Sequence, residues 1–356
     1  MVQKSTALDW IVERCRLALP LKYRKSTLLQ AEPLLEKEIE LIRKLGFEDT
    51  LVQAVEFGNH LRREKVNFHL VGSGGSSEVF FLLGMSEVDP IHYRTHFQRL
   101  WKTSSGETPV LQFVVEPESR SQWIQIPRPS CVSVHPMTSL EAIPAMLEKQ
   151  LSGVSMNMRD MQTFLSLQTG DTEGIFQMEF SEIRTLLSQI QPTRIKDIAI
   201  VTALNLISVS HRGVVDEFLQ MSAGNSARKR NTERTKVPER QDHLPFVYQE
   251  AIMNILRSAA GLPWEETYRF VSAAAKARMN DQHDLWNPVI EGLKLRSGEG
   301  RESLLPKVVA ASSWAVCKAH HAANAITTYK AAFFRTHHRE LFEQVRSQII
   351  STEQGA

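Results

Sequence analysis

One short segment does most to limit the folds open to this chain. In VNFHLVGSGGSSEVFFLLGM an apolar strand candidate, Phe68 to Val71, enters a Gly/Ser turn at 71–77 and leaves into an apolar helix. A strand–turn–helix unit needs a sheet to join and helices to cover that sheet. On both sides the pattern is helical. LLEKEIELIRKLGF carries Leu35, Ile39, Ile42 and Leu45 at helical spacing, with Gly46 as a stop, and LVQAVEFGNHLRREK follows with a second helical pattern. PVLQFVVEP at 109–117 is a second strand candidate, bounded by prolines. Residues 117–136 are rich in proline and read as a connection rather than a folded lobe.

From about residue 155 the chain reads as helix almost throughout. Ser181 is a candidate cap for a helix whose buried stripe would be Ile183, Leu186, Leu187 and Ile190. Residues 221–240 break the pattern with six basic and two acidic side chains and almost nothing apolar, and read as an exposed, mobile loop. Helical blocks follow at 246–260, 264–279 and 303–350.

Composition narrows the classes. The 42 basic and 40 acidic residues nearly cancel, which excludes a uniformly basic nucleic-acid coat and an acidic disordered tail. Three cysteines, Cys15, Cys131 and Cys317, lie far apart with no C-x-x-C, against a disulfide framework or a cysteine-rich zinc site and in keeping with a reducing cytoplasm. The longest apolar stretches are expected to be too short to cross a bilayer, and the N-terminus does not read as a signal peptide. A soluble intracellular protein with no membrane partner is the expectation.

The Gly/Ser turn admits two readings. Its backbone N–H groups can cradle phosphate at the start of a helix, with Gly72, Ser73, Gly74 and Ser76 as candidates; or the glycines simply serve a tight turn. Neither G-x-x-x-x-G-K-[ST] nor G-x-G-x-x-G is present. The pairs His320–His321 and His337–His338 are not chelates, because helix neighbours point about 100° apart; exposed or capping histidines are expected. The basic loop residues Arg228, Lys229, Arg230, Arg234, Lys236 and Arg240 are candidates for nucleic-acid phosphates, or else a solvated loop, with no aromatic residue interleaved for base stacking. No D-x-D occurs in the chain, so the strand-borne carboxylate pair that clamps two metal ions has no local signature.

Four blocks in a fixed order resemble the bacterial DNA polymerase III alpha subunit, the family C replicative polymerase. Residues 32–100 are similar to its palm entry: a helix ending in K-M-G-F, a G-R-G-S-A-A-S-S turn, Y-L-L-G-I-T-x-V-D-P and F-E-R-F. GDTEGIFQMEFSEIRTLL is similar to G-D-T-T-G-V-F-Q-L-E-S-x-G-M-R-x-L-L. VYQEAIMNILRSAAG is similar to V-Y-Q-E-Q-V-M-x-I-A-x-x-x-A-G, and CKAHHAANAITTYKAAFFRTHHRELF to N-K-S-H-A-A-A-Y-A-L-I-S-Y-Q-T-A-W-L-K-A-H-Y-P-x-E-F. Together the blocks span roughly residues 32–345.

The resemblance implies an α+β fold: a reduced nucleotidyltransferase-type palm over 1–150, without its thumb, and an all-helical fingers-like domain over 151–356 that carries the 221–240 loop. It also implies departures. The family's catalytic strand reads P-D-I-D-I-D-F, and its first two aspartates hold the metals; Val110 and Gln112 match them. A third aspartate matches Ser133. Val71 replaces the arginine of the turn, the R-P-G-P turn becomes Leu206–Val209, and the paired fingers arginines match Val271 and Ser272. Lys276, a phosphate candidate, keeps its type, and Lys318 and His320 of N-K-S-H survive. Val and Gln cannot replace carboxylates as Mg²⁺ ligands. No catalytic residue and no cofactor are therefore expected. Mg²⁺ enters only if an active polymerase draws its acids from elsewhere, such as Glu107, Glu116 or Glu118. Burial of one of these beside Ser73 would favour that alternative. The chain also begins where the family's phosphoesterase-like domain would end and stops where its fingers end. The expected role is binding of DNA or a protein partner in bacterial replication or repair, through Lys318, His320, Arg335 and the basic loop. The remaining alternative is a subunit that binds protein alone.

Overall fold

The computed structural model describes residues 2–101, 108–116, 125–228, 247–275, 287, 289, 291–292 and 304–354. Three helices open the chain: α1 (Val2–Lys22), α2 (Lys25–Leu45) and α3 (Glu48–Arg63). In α2 the expected stripe is buried at Leu35, Ile39 and Ile42, and Gly46 ends the helix at φ 69°, a left-handed conformation that suits glycine. Strand β1 (Phe68–Val71) follows, then a 3₁₀ turn (Gly72–Ser76) and the short helices α4 (Glu78–Leu82) and α5 (Pro90–Tyr93). A second 3₁₀ turn covers Phe97–Arg99.

The sheet has three strands in the order β1, β2 (Leu111–Val115), β3 (Val132–Pro136). β1 and β2 are antiparallel, with Val71 opposite Gln112; β2 and β3 are parallel, with Gln112 opposite Ser133. The stretch expected to be only a connection therefore supplies a strand. Its prolines flank the strand rather than interrupt it, and Leu111 N–H reaches the Cys131 carbonyl at 2.8 Å. Side chains alternate across the sheet. Leu70, Leu111, Phe113, Val115 and Val132 face the core built with α1–α4 and Trp101. Val71 and Val114 face a second core.

That second core is helical: α6 (Ser139–Gln150), α7 (Met161–Gln168), α8 (Ser181–Ile190), α9 (Ile195–Arg228), α13 (Lys318–His337) and α14 (Arg339–Gln354). A third, smaller core joins α10 (Gln249–Ala260), α11 (Trp264–Ala275) and α12 (Leu304–Ser312). The α8 stripe Ile183, Leu186, Leu187 and Ile190 is buried as expected. Ser181 is not its cap: Phe180 holds that position, without a side-chain bond. The expected block 303–350 is three helices, broken where Val316 forms a β-bridge to Tyr248. An α+β architecture with a small sheet and dominant helices is what the pattern predicted.

Two expectations are corrected in α9. Residues 221–228 are helical and not loop, because α9 continues through a kink at His211 (φ −139°, ψ 53°) to Arg228. The span Ile195–Ser222 is also long and apolar enough to cross a membrane by length and composition, although half of its most apolar stretch is buried within this fold. Ile198, Val201 and Leu204 face the core beside α13.

Candidate functional site

The Gly/Ser turn is fixed from three sides. Gly72 adopts φ +66°, and a Cβ there would meet Gln112 Oε1 at 2.7 Å. Its N–H donates to His320 Nδ1 at 3.3 Å. Gly75 lies against the start of α13, where a Cβ would stand 3.4 Å from the Ala319 carbonyl oxygen. Ser76 Oγ donates to the Ser73 carbonyl at 2.5 Å. Ser77 caps α4 by accepting the Phe80 N–H at 3.2 Å and donates its own hydroxyl to Glu38 at 2.6 Å. The glycines thus serve close packing between the turn and α13.

Behind the turn lies a buried polar knot. Glu38, on α2, is fully buried and accepts four hydrogen bonds: from Ser77 Oγ, from Trp101 Nε1 at 2.7 Å, and from the N–H groups of Glu78 at 2.8 Å and Val79 at 3.3 Å. Burial pushes its carboxyl above the usual carboxylate range, and those bonds oppose the shift. Burial likewise pushes Glu78 up to about 8, partly offset by the Tyr23 hydroxyl, which donates to it at 3.1 Å.

In front of the turn is a cleft of about 450 Å³. Gly72, Ser73, Val110 and Gln112 line it on the sheet side, Tyr268, Cys317 and His320 on the helical side, and Arg99 between them. Two of the three residues matched to metal-binding aspartates reach this place. Val110 is exposed at the mouth of β2, and Gln112 lies across from Val71. Ser133, the third, is the neighbour of Gln112 on β3, and its hydroxyl lies 2.7 Å from His135 Nε2. Among the described residues no Asp or Glu lines the cleft. Two divalent cations would meet an isopropyl group, an amide and a hydroxyl there, beside a guanidinium, so the donor set does not fit Mg²⁺.

The other sequence candidates separate. His320 is turned inward as the acceptor of the Gly72 N–H, and burial lowers its affinity for a proton. A neutral ring that accepts at Nδ1 carries its proton on Nε2, 3.3 Å from the Asn324 side-chain amide. His321 is 4% exposed and bonds Thr202 at 3.0 Å, so neither member of this pair is the surface or capping histidine expected. His337 is exposed and bonds Asp160 at 2.8 Å. Lys318 begins α13 with its Nζ 5.6 Å from the Tyr248 ring; burial, with Lys196 and Arg94 nearby, pushes its ammonium down to about 8. Arg335 is 4% exposed and paired with Asp171 and Glu343, so its charge joins α13 to its neighbours and does not face outward. Val271 is buried in the third core and leaves no cation on that face of α11. Arg228 ends α9. Lys229, Arg230, Arg234, Lys236, Arg240, Lys276, Glu107 and Glu118 lie outside the described residues. Glu116 is buried, but at the opposite end of β2 from the turn, where it pairs with Lys149. Four residues of strand, about 13 Å, separate it from Gln112.

Arg99 and Glu250 were not among the sequence candidates. Arg99 approaches the Glu250 carboxylate at 3.9 Å, and Glu250 in turn accepts the Lys318 N–H at 3.0 and 3.2 Å. The match of FQRL to the family's F-E-R-F was the available signal for Arg99.

A small sheet whose strand end and Gly/Ser turn meet a helical layer across a cleft defines a palm-like domain followed by helical fingers. The sequence agrees. Residues 9–129 match the bacterial DNA polymerase III alpha NTPase domain, and residues 137–297 match the bacterial DNA polymerase III alpha subunit finger domain. The chain is 24% identical to DNA polymerase III subunit alpha of Thermotoga maritima over 94% of its own length and 50% of that protein's. It is 26% identical to the Helicobacter pylori subunit over 53% of this chain and 16% of that one. It is 33% identical to an error-prone DNA polymerase of Pseudomonas paraeruginosa over 26% of this chain and 9% of the other. The chain is a relative of the bacterial DNA polymerase III alpha subunit. It spans half or less of the length of these curated relatives.

Proposed function

We propose that this chain is a non-catalytic member of its polymerase family, which binds DNA in bacterial replication or repair without extending it. One observation carries the proposal: the cleft where palm and fingers meet is walled by Val110, Gln112, Arg99 and His320, with no carboxylate among the described residues. Phosphoryl transfer draws most of its rate from metal ions and cations that stabilise spreading negative charge. Without metal ligands that term is lost, while an uncharged or cationic wall still tolerates a phosphate backbone. A reduced palm over 1–150 and a fingers-like unit over 151–356, working in the cytoplasm, complete the proposal. The active alternative draws nothing from Glu116, which stands at the far end of its strand.

Two measurements test it. A gel shift with primed DNA across a salt series should show binding that weakens as salt rises. Electron paramagnetic resonance of Mn²⁺ should show no site on the protein in the presence of deoxynucleotides. A tight Mn²⁺ site, or no DNA binding even at low salt, overturns the corresponding half.

A protein partner has one observation in its favour. A groove between α8 and α9 exposes Phe180 at 65% and Val209 at 80%. Co-purification of a replication protein that is lost in Val209→Glu would support it, and retention in that variant would remove it.

A further inference from the structure

We infer that Arg94, Lys196 and Lys318 form one contact surface for the phosphate backbone of a nucleic acid, a surface separate from the degenerate cleft. This rests on the DNA-binding proposal above and gives it a place on the molecule.

Three elements meet there: the end of α5, the start of α9 and the start of α13. Arg94 caps α5 and is exposed. Lys196 is the second residue of α9, its Nζ 5.9 Å from the Tyr93 ring. Lys318 is the first residue of α13, its Nζ 5.6 Å from the Tyr248 ring. The two tyrosines are buried and hold the lysine stems in place. His92 and Arg159, both exposed, continue the surface, since Lys196 and Arg159 each bear electrostatically on His92.

Every one of these placements works against the fold. Arg94 sits at φ +52°, ψ +53°, a left-handed conformation that glycine or asparagine adopts far more readily. Lysines in the first turn of α9 and of α13 oppose the helix dipole, whose positive end lies there. The three cations also stand within electrostatic reach of one another, which disfavours the charged form of Lys318. The carboxylates facing them are already engaged. Asp89 accepts the N–H groups of Ile91 and His92, both at 2.9 Å. Asp197 pairs with Arg194 at 2.9 Å and accepts the Thr193 N–H. Glu250 accepts the Lys318 N–H. Local rules broken together in one place, without compensation inside the molecule, mark a surface built for something outside it. A polyanion compensates all of them at once, and a row of phosphates suits cations spread over three elements.

The test measures binding of a fluorescent 20-nucleotide strand and its duplex by anisotropy between 50 and 300 mM salt. The proteins are the wild type, Arg94→Gly, Lys196→Gln, the double variant, and Lys37→Gln on α2 as a control. By counterion release each lost contact should weaken binding roughly tenfold at 50 mM salt and flatten the logarithmic salt slope by about 0.7–0.9. Arg94→Gly should keep or raise the melting temperature, because glycine suits the backbone there, so its loss of binding cannot be a loss of fold. Unchanged affinity and slope in the double variant overturn the surface while leaving DNA binding standing. Absence of wild-type binding at 50 mM salt removes both. Displacement of DNA by polyglutamate at equal charge concentration assigns the surface to an acidic protein, and overturns it too.

Discussion

Replacing Glu38 with alanine should destabilise the sheet side of the molecule by about 4 kcal/mol. The carboxylate accepts from Ser77 Oγ, Trp101 Nε1 and the N–H groups of Glu78 and Val79, all within 2.6–3.3 Å. Alanine leaves these donors in a fully buried space. Ser77 can rotate its hydroxyl elsewhere; the indole and the two backbone groups cannot. A buried donor left unmade costs about 1–3 kcal/mol. Three of them, less the relief of no longer burying a charge, give the figure above. Glu38→Gln keeps one acceptor oxygen and should cost about half as much. Urea unfolding followed by Trp fluorescence reads the effect well, because Trp101 is itself one of the partners. The transition should move to lower urea with little change in slope. A loss below 1 kcal/mol for alanine would refute the idea that this carboxylate ties α2 to the turn and α4.

Three further outcomes follow from buried groups. Glu78 is held near 8 by burial, against an ordinary value of 4.5, so between those values the folded chain binds the extra proton. Stability should therefore fall as pH rises from 5 to 8, by up to about 1.4 kcal/mol per unit, and Glu78→Gln should flatten the curve; parallel curves would contradict this. Arg335→Ala strands Asp171 and Glu343 beside α13 and should cost about 3–5 kcal/mol in thermal unfolding, whereas a loss of DNA affinity without a loss of stability would return Arg335 to the surface. Gly75→Val should lower the melting temperature far more than Gly74→Ala, since Ala319 already stands 3.4 Å from a Cβ at 75, while a Cβ at 74 meets ordinary contacts beyond 3.4 Å; equal effects would show that the turn does not pack on α13 as described.

Periodicity reached the elements whose burial is one-sided. The stripes of α2 and α8 and the short strand Phe68–Val71 all stand where spacing put them. It failed where tertiary contacts decide. β3 hid among prolines because only its pairing with β2 makes Val132–Pro136 a strand. The helix through residues 221–228 hid because charge density mimics a loop, while α9 enters that stretch already formed. At the site, the identities of Val110 and Gln112 were legible, and the sheet sets Gln112 beside Ser133 as the family pattern implied. The roles of the cations were not. Sequence shows that Arg335 and Lys318 are charged. It does not show Asp171 beside one, or Arg94 and Lys196 around the other. Nor does the Gly/Ser turn reveal that His320, 248 residues away, takes its first N–H.

The central claim is that a polymerase cleft whose strand carries Val110 and Gln112 no longer transfers nucleotides. Primer extension by the purified chain, on a primed template with all four deoxynucleotides and either Mg²⁺ or Mn²⁺, tests it most directly. The account predicts an unextended primer with both metals. Template-directed extension that disappears in Gln112→Ala or Ser73→Ala would contradict it.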